Sequence, residues 1–421
     1  MPAPSWQSRA PGAGGLRGAL AGHKKPPPGP TACLPAVGRA GSPVHALQGR
    51  VRGAFCVQIA PDPPTDLERA MGQARAIHRA NVEGVRRAIL TGEIQPAAAA
   101  RWISADVEIC ITGMLEAVLD DLHRRHGRAH GGVAVLAMGK LGGRELCLGS
   151  DVDLIFVCEA GEGAGEDERR HADELLQKAA QMMSAALSWS QDAGRLYDLD
   201  MRLRPFGTDG ALATPFSLFT HYYGRTRWTW ELQALTRARV IGDDSAFGLR
   251  LTAAVNAALR TAPPASQLMA EVADMRRLMA REQPAKGPWD LKRTSGGLID
   301  LEFIVQALQL AHANACPGVC RPCTEEAVTA LAAAGVLPGE DARTLAEAWR
   351  LYSTVRQLQG AAGLAGRDLR SSPADRHEVM LASLGAHDWP AVRGRIDVAR
   401  AEVRKLFRRV FGVASAERVN A

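Results

Sequence analysis

The chain has 421 residues and a hydrophobic content of 46%, which is enough for two or three domains with substantial cores. Its net charge of +6 comes partly from the N-terminal segment, where Asp62 is the only acid before Thr65, and the remainder is near balance. Charge therefore gives no reason to expect nucleic-acid binding. No apolar run approaches the ~20 residues that span a bilayer, and the N-terminus lacks the apolar region of a secretion signal, so we expect no membrane association.

The cysteines are distributed as free thiols rather than as a disulfide framework. Five of the eight are scattered, several of them in apolar runs, which fits a cytoplasmic protein in a reducing environment. The other three, Cys316, Cys320 and Cys323, follow His312 closely enough to hold Zn²⁺. Their spacing matches no standard paired-cysteine site and His312 is expected in a helix, so zinc remains a lesser alternative.

Composition and periodicity divide the chain into four parts. Residues 1–64 are rich in Gly, Pro, Ala and Arg and are predicted to be disordered or foreign to the rest, so their deletion is expected to change little. Residues 65–130 are predicted to be helical, with a long helix over Ala105–Arg125. Strands and helices mix in residues 131–285, and residues 286–421 have the pattern of an all-α bundle. The predicted fold class is α+β, a small mixed sheet flanked by helices and followed by that bundle.

Two buried strands joined by a glycine-rich turn form the stretch around which this α+β part is organised. The apolar run Val133–Met138 predicts the first strand, and Val152–Val157 predicts the second. Asp151 and Asp153 are two positions apart on the second strand, so their carboxylates face the same side. Two like charges on one face are unfavourable unless a cation lies between them, and Mg²⁺ prefers such oxygen ligands.

A third strand is expected to bring further charged groups to this edge. The segment after a helix over Arg169–Trp189 alternates apolar and charged residues from Arg195 to Arg204, with Asp198, Asp200, Arg202 and Arg204 on one face. A third carboxylate beside the first pair is what two-metal phosphoryl chemistry requires. Asp200 is the preferred third ligand, and Asp198 is the alternative.

Two later segments also contain charged residues within apolar patterns. Thr226–Val240 looks helical, and its Arg237 and Arg239 are expected either to reach phosphate or to be solvated. A helix that begins near Leu298 is apolar nearly all round, which predicts burial. Asp300 and Glu302 lie in its first turn, where we expect at least one of them to cap the helix.

Four blocks in order carry a family resemblance. They are Met138–Phe156, Asp198–Leu212, Trp228–Asp243 and Asp290–Gln306. The first contains a glycine turn followed by Ser-Asp-x-Asp-Leu, which resembles the signature of the polymerase-β-like nucleotidyltransferase superfamily. Together the blocks resemble the bacterial glutamine synthetase adenylyltransferase, or adenylyl-removing enzyme, from Leu67 to the end. The block at Trp228–Asp243 looks most like the C-terminal, adenylylating half of that family.

The resemblance implies an activity, ligands and partners. Residues 131–285 become a nucleotidyltransferase domain that transfers AMP from ATP to a tyrosine of glutamine synthetase, under the control of a PII-type signal protein. Asp151, Asp153 and Asp200 become the catalytic carboxylates that bind Mg²⁺. The residues implied in ATP binding are Gly139, Lys140, Gly142, Gly143, Ser150, Arg202 and Arg204.

Three alternatives to this activity stay open at the level of the sequence. The same carboxylates serve the reverse reaction, which removes AMP from glutamine synthetase by phosphorolysis. Enzymes that uridylylate a PII-type protein share the strand signature and a similar helical domain. A nucleotide-binding regulatory module without activity is the third alternative, against which the intact carboxylates argue.

Overall fold

The computed structural model describes residues 67–127, 131–161, 165–188, 198–242 and 245–412. The strands are β1 Gly131–Ala137, β2 Val152–Ala160, β3 Leu199–Asp200, β4 Ala213–Pro215 and β5 Arg239–Ile241. The helices are α1 Leu67–Thr91, α2 Pro96–His126, α3 Gly139–Gly142, α4 Glu166–Ser188, α5 Phe216–His221, α6 Thr229–Leu235, α7 Ala246–Leu259, α8 Ala265–Glu282, α9 Leu298–His312, α10 Thr324–Ala333, α11 Gly339–Ala361, α12 His377–Ser383 and α13 Trp389–Phe411. The segment 1–64, for which disorder was predicted, lies outside the described residues.

The sheet is small and mixed, which confirms the predicted α+β class. Its order is β3-β2-β1-β5, and β4 also pairs with β2. β1 is antiparallel to β2 and β5, whereas β2 is parallel to β3 and β4. The central strands are buried on both sides because helices cover the sheet, so their middle residues read as a continuous apolar run rather than an alternating one.

Two predicted boundaries need correction. The long helix α2 begins at Pro96 rather than at Ala105, because proline is well suited to the first helical position, where its missing N–H is not needed. The third strand was predicted to run to Arg204, but β3 ends at Asp200 and the chain turns at once. Part of the predicted strand, residues 195–197, lies outside the described residues.

The segment Thr226–Val240, predicted as one helix, is a helix followed by a strand. α6 ends at Leu235, and after a short turn Arg239 begins β5, which pairs with β1. The helical pattern of apolar residues continues through the turn, but hydrogen bonds to β1 satisfy the backbone of residues 239–241. Arg237 in the turn and Arg239 at the start of β5 are consequently placed beside α3.

The helical region packs on the sheet region through one continuous apolar core. α9 is buried as predicted, but no side-chain hydrogen bond caps its N-cap residue Gly297. Asp300 instead accepts from the N–H of Gly296, which precedes the helix, and pairs with Arg276 of α8, so the predicted capping role is not borne out. None of the helices in the described ranges has the combination of length and hydropathy needed to cross a bilayer.

Candidate active site

The turn after β1 is a one-turn helix, α3, rather than a flexible glycine loop, and it positions Asp153. The N–H of Met138 donates to the carbonyl oxygen of Asp153 at 2.9 Å, which ties the end of β1 to the start of β2. Gly139 follows with φ of 53°, and a Cβ at this position would lie 2.4 Å from Oδ2 of Asp153. Glycine is therefore required for both the backbone conformation and the close approach to the carboxylate.

Three carboxylates converge at the ends of β2 and β3. The parallel pairing places Asp153 directly opposite Asp200, and Asp151 immediately precedes β2. Burial, followed by the charges of Asp200 and Asp151, raises the pKa of Asp153 to about 6. The alternative ligand Asp198 precedes β3, where its carbonyl oxygen accepts from the N–H of Val152. The convergence leaves an excess of negative charge at this edge of the sheet.

The two arginines after β3 have different environments. Arg202 is exposed, and its guanidinium and backbone N–H both donate to the Asp200 carboxylate. Burial acts against ionisation of Asp200, but these hydrogen bonds from Arg202 prevail and lower its pKa. Arg204 is buried and donates to the carbonyl oxygens of Met201, Thr208 and Gly210. Arg202 is thus free to exchange partners at the site, whereas Arg204 holds the turn together.

Two lysines also act on the carboxylate of Asp153. The ammonium of Lys140 donates to Oγ of Ser150 at 3.0 Å, and the N–H of Cys147 donates to the same oxygen at 3.2 Å. Burial and then the charge of Arg356 lower the pKa of Lys140 to about 8, and Lys292 acts in the same direction. Lys140 and Lys292 both oppose the upward shift of the pKa of Asp153, which favours its ionised form.

A second, buried charge cluster lies behind α3. The guanidinium of Arg237 donates to Glu145, in the turn after α3, and to Glu302 of α9 at 2.8 Å. The N–H of Thr324 donates to Glu145 at 2.6 Å. Burial raises the pKa of Glu145, while the charge of Arg237 opposes this. The cluster connects the turn that bears the site to the helical region.

Arg239 supports the same turn from the sheet edge. Its guanidinium donates to the carbonyl oxygens of Gly142 and Leu141, at 3.0 and 3.2 Å, and forms an ion pair with Glu108 of α2. Arg237 and Arg239 are both paired with carboxylates of the protein, so the expectation that they are solvated was wrong, while a role at phosphate stays a prediction. Close packing explains two more glycines, since a Cβ on Gly142 would lie 1.8 Å from the carbonyl oxygen of Arg237, and one on Gly143 would lie 2.9 Å from its Nη2.

A pocket of about 390 Å³ opens beside the carboxylates, with Asp151, Asp200 and Arg202 in its lining. As placed, the described residues contain no group of three or more His, Cys, Asp and Glu side chains arranged around one metal position. The donor set nevertheless suits a hard divalent cation, because the charges of Asp200 and Asp151 act on Asp153 and such an ion prefers carboxylate oxygens. Arg202 occupies the Asp200 carboxylate that such an ion would share.

Comparison with known proteins gives two adjacent matches. The model of the family described as glutamate-ammonia ligase adenylyltransferase matches residues 50–254, and the model described as GlnD PII-uridylyltransferase matches residues 267–411. A bifunctional glutamine synthetase adenylyltransferase/adenylyl-removing enzyme of Caulobacter vibrioides is 37% identical over 355 residues, 84% of this chain. The chain belongs to the glutamate-ammonia ligase adenylyltransferase family. Glutamate-ammonia ligase is another name for glutamine synthetase.

Further relatives show the same coverage. Proteins with the same bifunctional name from Brucella suis biovar 1 and from Bradyrhizobium sp. (strain ORS 278) are 39% and 35% identical, over 71% and 76% of this chain. These alignments cover 31% and 33% of the two relatives, and 36% of the one from Caulobacter vibrioides. The chain therefore spans about a third of the length of the curated relatives it matches.

Sequence reasoning missed three contributors to the surroundings of the site. Lys292 lies within the block Asp290–Gln306 that carries the family resemblance, and its place in that block was the one sequence feature that could have indicated a role at the site. Arg356 had none, because a single arginine on an amphipathic helix reads as a solvated residue. Arg237 was noticed, but its carboxylate partners are 92 and 65 positions away in sequence, and nothing local indicates them.

Proposed function

We propose that the chain transfers AMP from ATP to a tyrosine hydroxyl of glutamine synthetase. The observation that carries this proposal is the parallel register of β2 and β3, which sets Asp153 opposite Asp200 next to Asp151. Family membership supports the chemistry and the protein substrate, because the relatives are named for both. The nucleotidyltransferase part at 131–285, the helical bundle at 286–421, a PII-type partner and a cytoplasmic location belong to the same proposal.

The residues divide the work of an in-line displacement at the α-phosphorus. An oxygen atom of Asp200 takes the proton of the tyrosine hydroxyl, whose oxygen forms the new bond to phosphorus while the bond to the bridging oxygen breaks and pyrophosphate leaves. Once it has released Asp200, the guanidinium of Arg202 donates hydrogen bonds to the phosphate oxygens and stabilises the negative charge that develops on them. Arg204 keeps the turn that presents Arg202 in place. Gly139 and Ser150 allow the backbone of their turns to approach the phosphates.

Asp151, Asp153 and Asp200 would hold Mg²⁺. When bound, such an ion would neutralise the phosphates and stabilise the charge of the attacking and leaving oxygens. This assignment accounts for the closeness of Asp151 and Asp200 to Asp153, whose pKa is raised first by burial and then by these two charges.

The decisive experiment incubates the full chain with glutamine synthetase, Mg²⁺ and ATP labelled at the α-phosphate. We expect label on glutamine synthetase and stoichiometric pyrophosphate. Asp200→Asn is expected to abolish incorporation, whereas Asp198→Asn is expected to retain most of it, because Asp200 rather than Asp198 is paired opposite Asp153. Loss of activity in Asp198→Asn together with an active Asp200→Asn would reverse the choice of third ligand.

The same assay separates the alternative activities. ADP formation from adenylylated glutamine synthetase and phosphate, without forward incorporation, would identify the adenylyl-removing direction. Incorporation from labelled UTP into a PII-type protein would identify uridylylation, to which the match of residues 267–411 gives some support. Nucleotide binding without any transfer would identify a regulatory module.

A further inference from the structure

The turn at residues 146–150, between α3 and β2, is held by side chains from two distant helices. It belongs to no helix or strand, so its backbone groups need other partners. The N–H of Leu146 donates to Oγ of Ser104 on α2 at 3.3 Å. The side chain of Gln357 on α11 donates to the carbonyl oxygen of Leu146 at 2.7 Å and accepts from the N–H of Leu148 at 3.3 Å. The path of the turn therefore depends on α2 and α11.

α11 packs tightly against this turn. Gln357 is buried, and about one helical turn further along α11 a Cβ on Gly360 would lie 2.5 Å from the carbonyl oxygen of Leu148. Leu146 and Leu148 are themselves buried, so solvent is a poor substitute for the hydrogen bonds that Gln357 makes. A displacement of α11 would therefore either move the turn or leave two buried backbone groups unpaired.

The end of the same turn carries groups of the candidate active site. The hydroxyl of Ser150 accepts from the N–H of Cys147 at 3.2 Å, and the N–H of Ser150 donates to the carbonyl oxygen of Cys147 at 2.9 Å. Lys140 donates to the same hydroxyl at 3.0 Å, and Asp151 follows immediately in the chain. These hydrogen bonds make the turn compact, so a shift in its middle is passed on to Ser150 and Asp151.

We infer that Gln357 is a positioning residue, which fixes from the helical region the turn that presents Ser150 and Asp151 to the substrates. This inference rests on the proposed AMP transfer and deepens it. α11 lies within residues 267–411, whereas the turn lies within residues 50–254, and these two ranges match different family models. The two matched parts are consequently not independent modules, because the geometry of the active site depends on the position of α11.

The test compares Gln357→Met with Gln359→Met in the full chain, because both substitutions keep the length of the side chain and remove its hydrogen bonds. Gln359 lies on the same helix and is also buried, but it donates to the carbonyl oxygens of Trp289 and Arg367, at 3.1 and 2.8 Å, instead of to the turn. The urea midpoints of the two variants should fall by similar amounts, since each leaves buried backbone groups unpaired. A difference in activity between them then reflects the segment that each glutamine contacts.

Only Gln357→Met is expected to change catalysis. Its kcat for AMP transfer to glutamine synthetase should fall roughly 10- to 100-fold, the usual effect of losing a group that orients a residue of the site. The KM for glutamine synthetase should stay within about twofold, because Gln357 is buried and does not touch the protein substrate. Gln357→Glu should recover activity, relative to the unsubstituted protein, as pH falls, because only its protonated carboxyl can both donate and accept.

The outcomes separate this inference from the proposed function. A loss of kcat in Gln359→Met at least as large as that in Gln357→Met, or no loss in either, would overturn the positioning role even if AMP transfer is observed. If the unsubstituted chain transfers no AMP, the proposed function fails, and urea midpoints with and without Mg²⁺ test the inference instead. Mg²⁺ should then raise the midpoint of Gln359→Met but not that of Gln357→Met, and equal midpoint changes in the two variants would overturn the positioning role.

Discussion

Two groups of acidic side chains flank α3, and they differ in what balances their charge. Behind α3, Glu145 and Glu302 share the buried guanidinium of Arg237, and the N–H of Thr324 completes the hydrogen bonds of Glu145. In front of it, the carboxylates of Asp151 and Asp200 lie beside that of Asp153, and the exposed Arg202 pairs with Asp200. We call the first the closed group, because its charges are paired within the protein and connect different parts of it. We call the second the open group, because its carboxylates are arranged to bind a cation from solution.

The difference follows from the cost of burying charge. A buried carboxylate is tolerated when a guanidinium and backbone N–H groups surround it, and removing one partner leaves an unpaired charge that is expensive to keep. A cluster whose charges are not fully neutralised within the protein is held together by the rest of the fold. Such clusters are typical of sites that bind ions or phosphates. The following predictions test whether the two groups differ in this way, from the largest expected effect to the smallest.

Asp153→Asn should give the largest effect, a loss of AMP transfer of roughly 10³-fold or more, because a central ligand contributes several kcal/mol to the transition state. The measurement is incorporation of labelled AMP into glutamine synthetase at saturating ATP and Mg²⁺. The thermal midpoint should not fall, since the substitution removes a charge from a crowded site. Transfer at the unsubstituted rate would contradict the assignment of the open group as the active site.

Arg237→Met should have the largest effect on folding, and should lower the free energy of unfolding by about 3–5 kcal/mol, because Glu145 and Glu302 would remain buried without a counter-charge. The measurement is the urea midpoint followed by circular dichroism. Arg202→Met is the matched control from the open group. It should lower the free energy of unfolding by less than about 1 kcal/mol, because the ion pair between Arg202 and Asp200 is exposed.

A second variant tests whether the loss of stability in Arg237→Met comes only from poor packing of the Met side chain. Adding Glu145→Gln to Arg237→Met removes one of the two orphaned charges, so part of the lost stability should return. If the double variant is no more stable than the single one, the loss comes from packing rather than from unpaired charge. The comparison between the two groups would then lack its energetic basis.

The sequence predicted the open group better than the closed one, and the reason is physical. Asp151 and Asp153 are two positions apart at the start of β2, and this spacing alone predicts that they lie on one side. The closed group assembles residues from the turn after α3, the α6–β5 turn and α9, which no local pattern connects. The length of the third strand could not be predicted from the local sequence pattern either. Alternation predicted a strand up to Arg204, but the guanidinium of Arg204 donates to three carbonyl oxygens and thereby stabilises a turn.

Gly139→Ala should cause an intermediate loss, about 10- to 100-fold in AMP transfer, because the added Cβ would meet Oδ2 of Asp153 at 2.4 Å and displace the carboxylate. Gly149→Ala is the matched control. Its φ of 75° carries the same conformational strain, but nothing lies within 4 Å of its Cβ position. Equal losses of activity in the two variants would show that strain, rather than contact with Asp153, matters at Gly139.

The smaller of the two effects on stability is a dependence on pH that belongs to the open group. The pKa of Asp153 is about 6 in the folded protein and about 4 when unfolded, so the folded state binds the proton more tightly. Stability contributed by this group is therefore complete below about pH 4 and is lost as pH rises through about 6. Without Mg²⁺, Asp153→Asn should exceed the unsubstituted protein in stability by about 3 kcal/mol at pH 7.5 and nearly match it at pH 4.

Urea midpoints at the two pH values, with and without Mg²⁺, measure this difference. Mg²⁺ should raise the midpoint of the unsubstituted protein at pH 7.5, because binding to the folded state alone stabilises it, and should leave Asp153→Asn nearly unchanged. A stability gap of the same size at both pH values would mean that Asn improves packing instead of relieving charge. In that case the carboxylates would be balanced by the protein itself, and the open group would resemble the closed one.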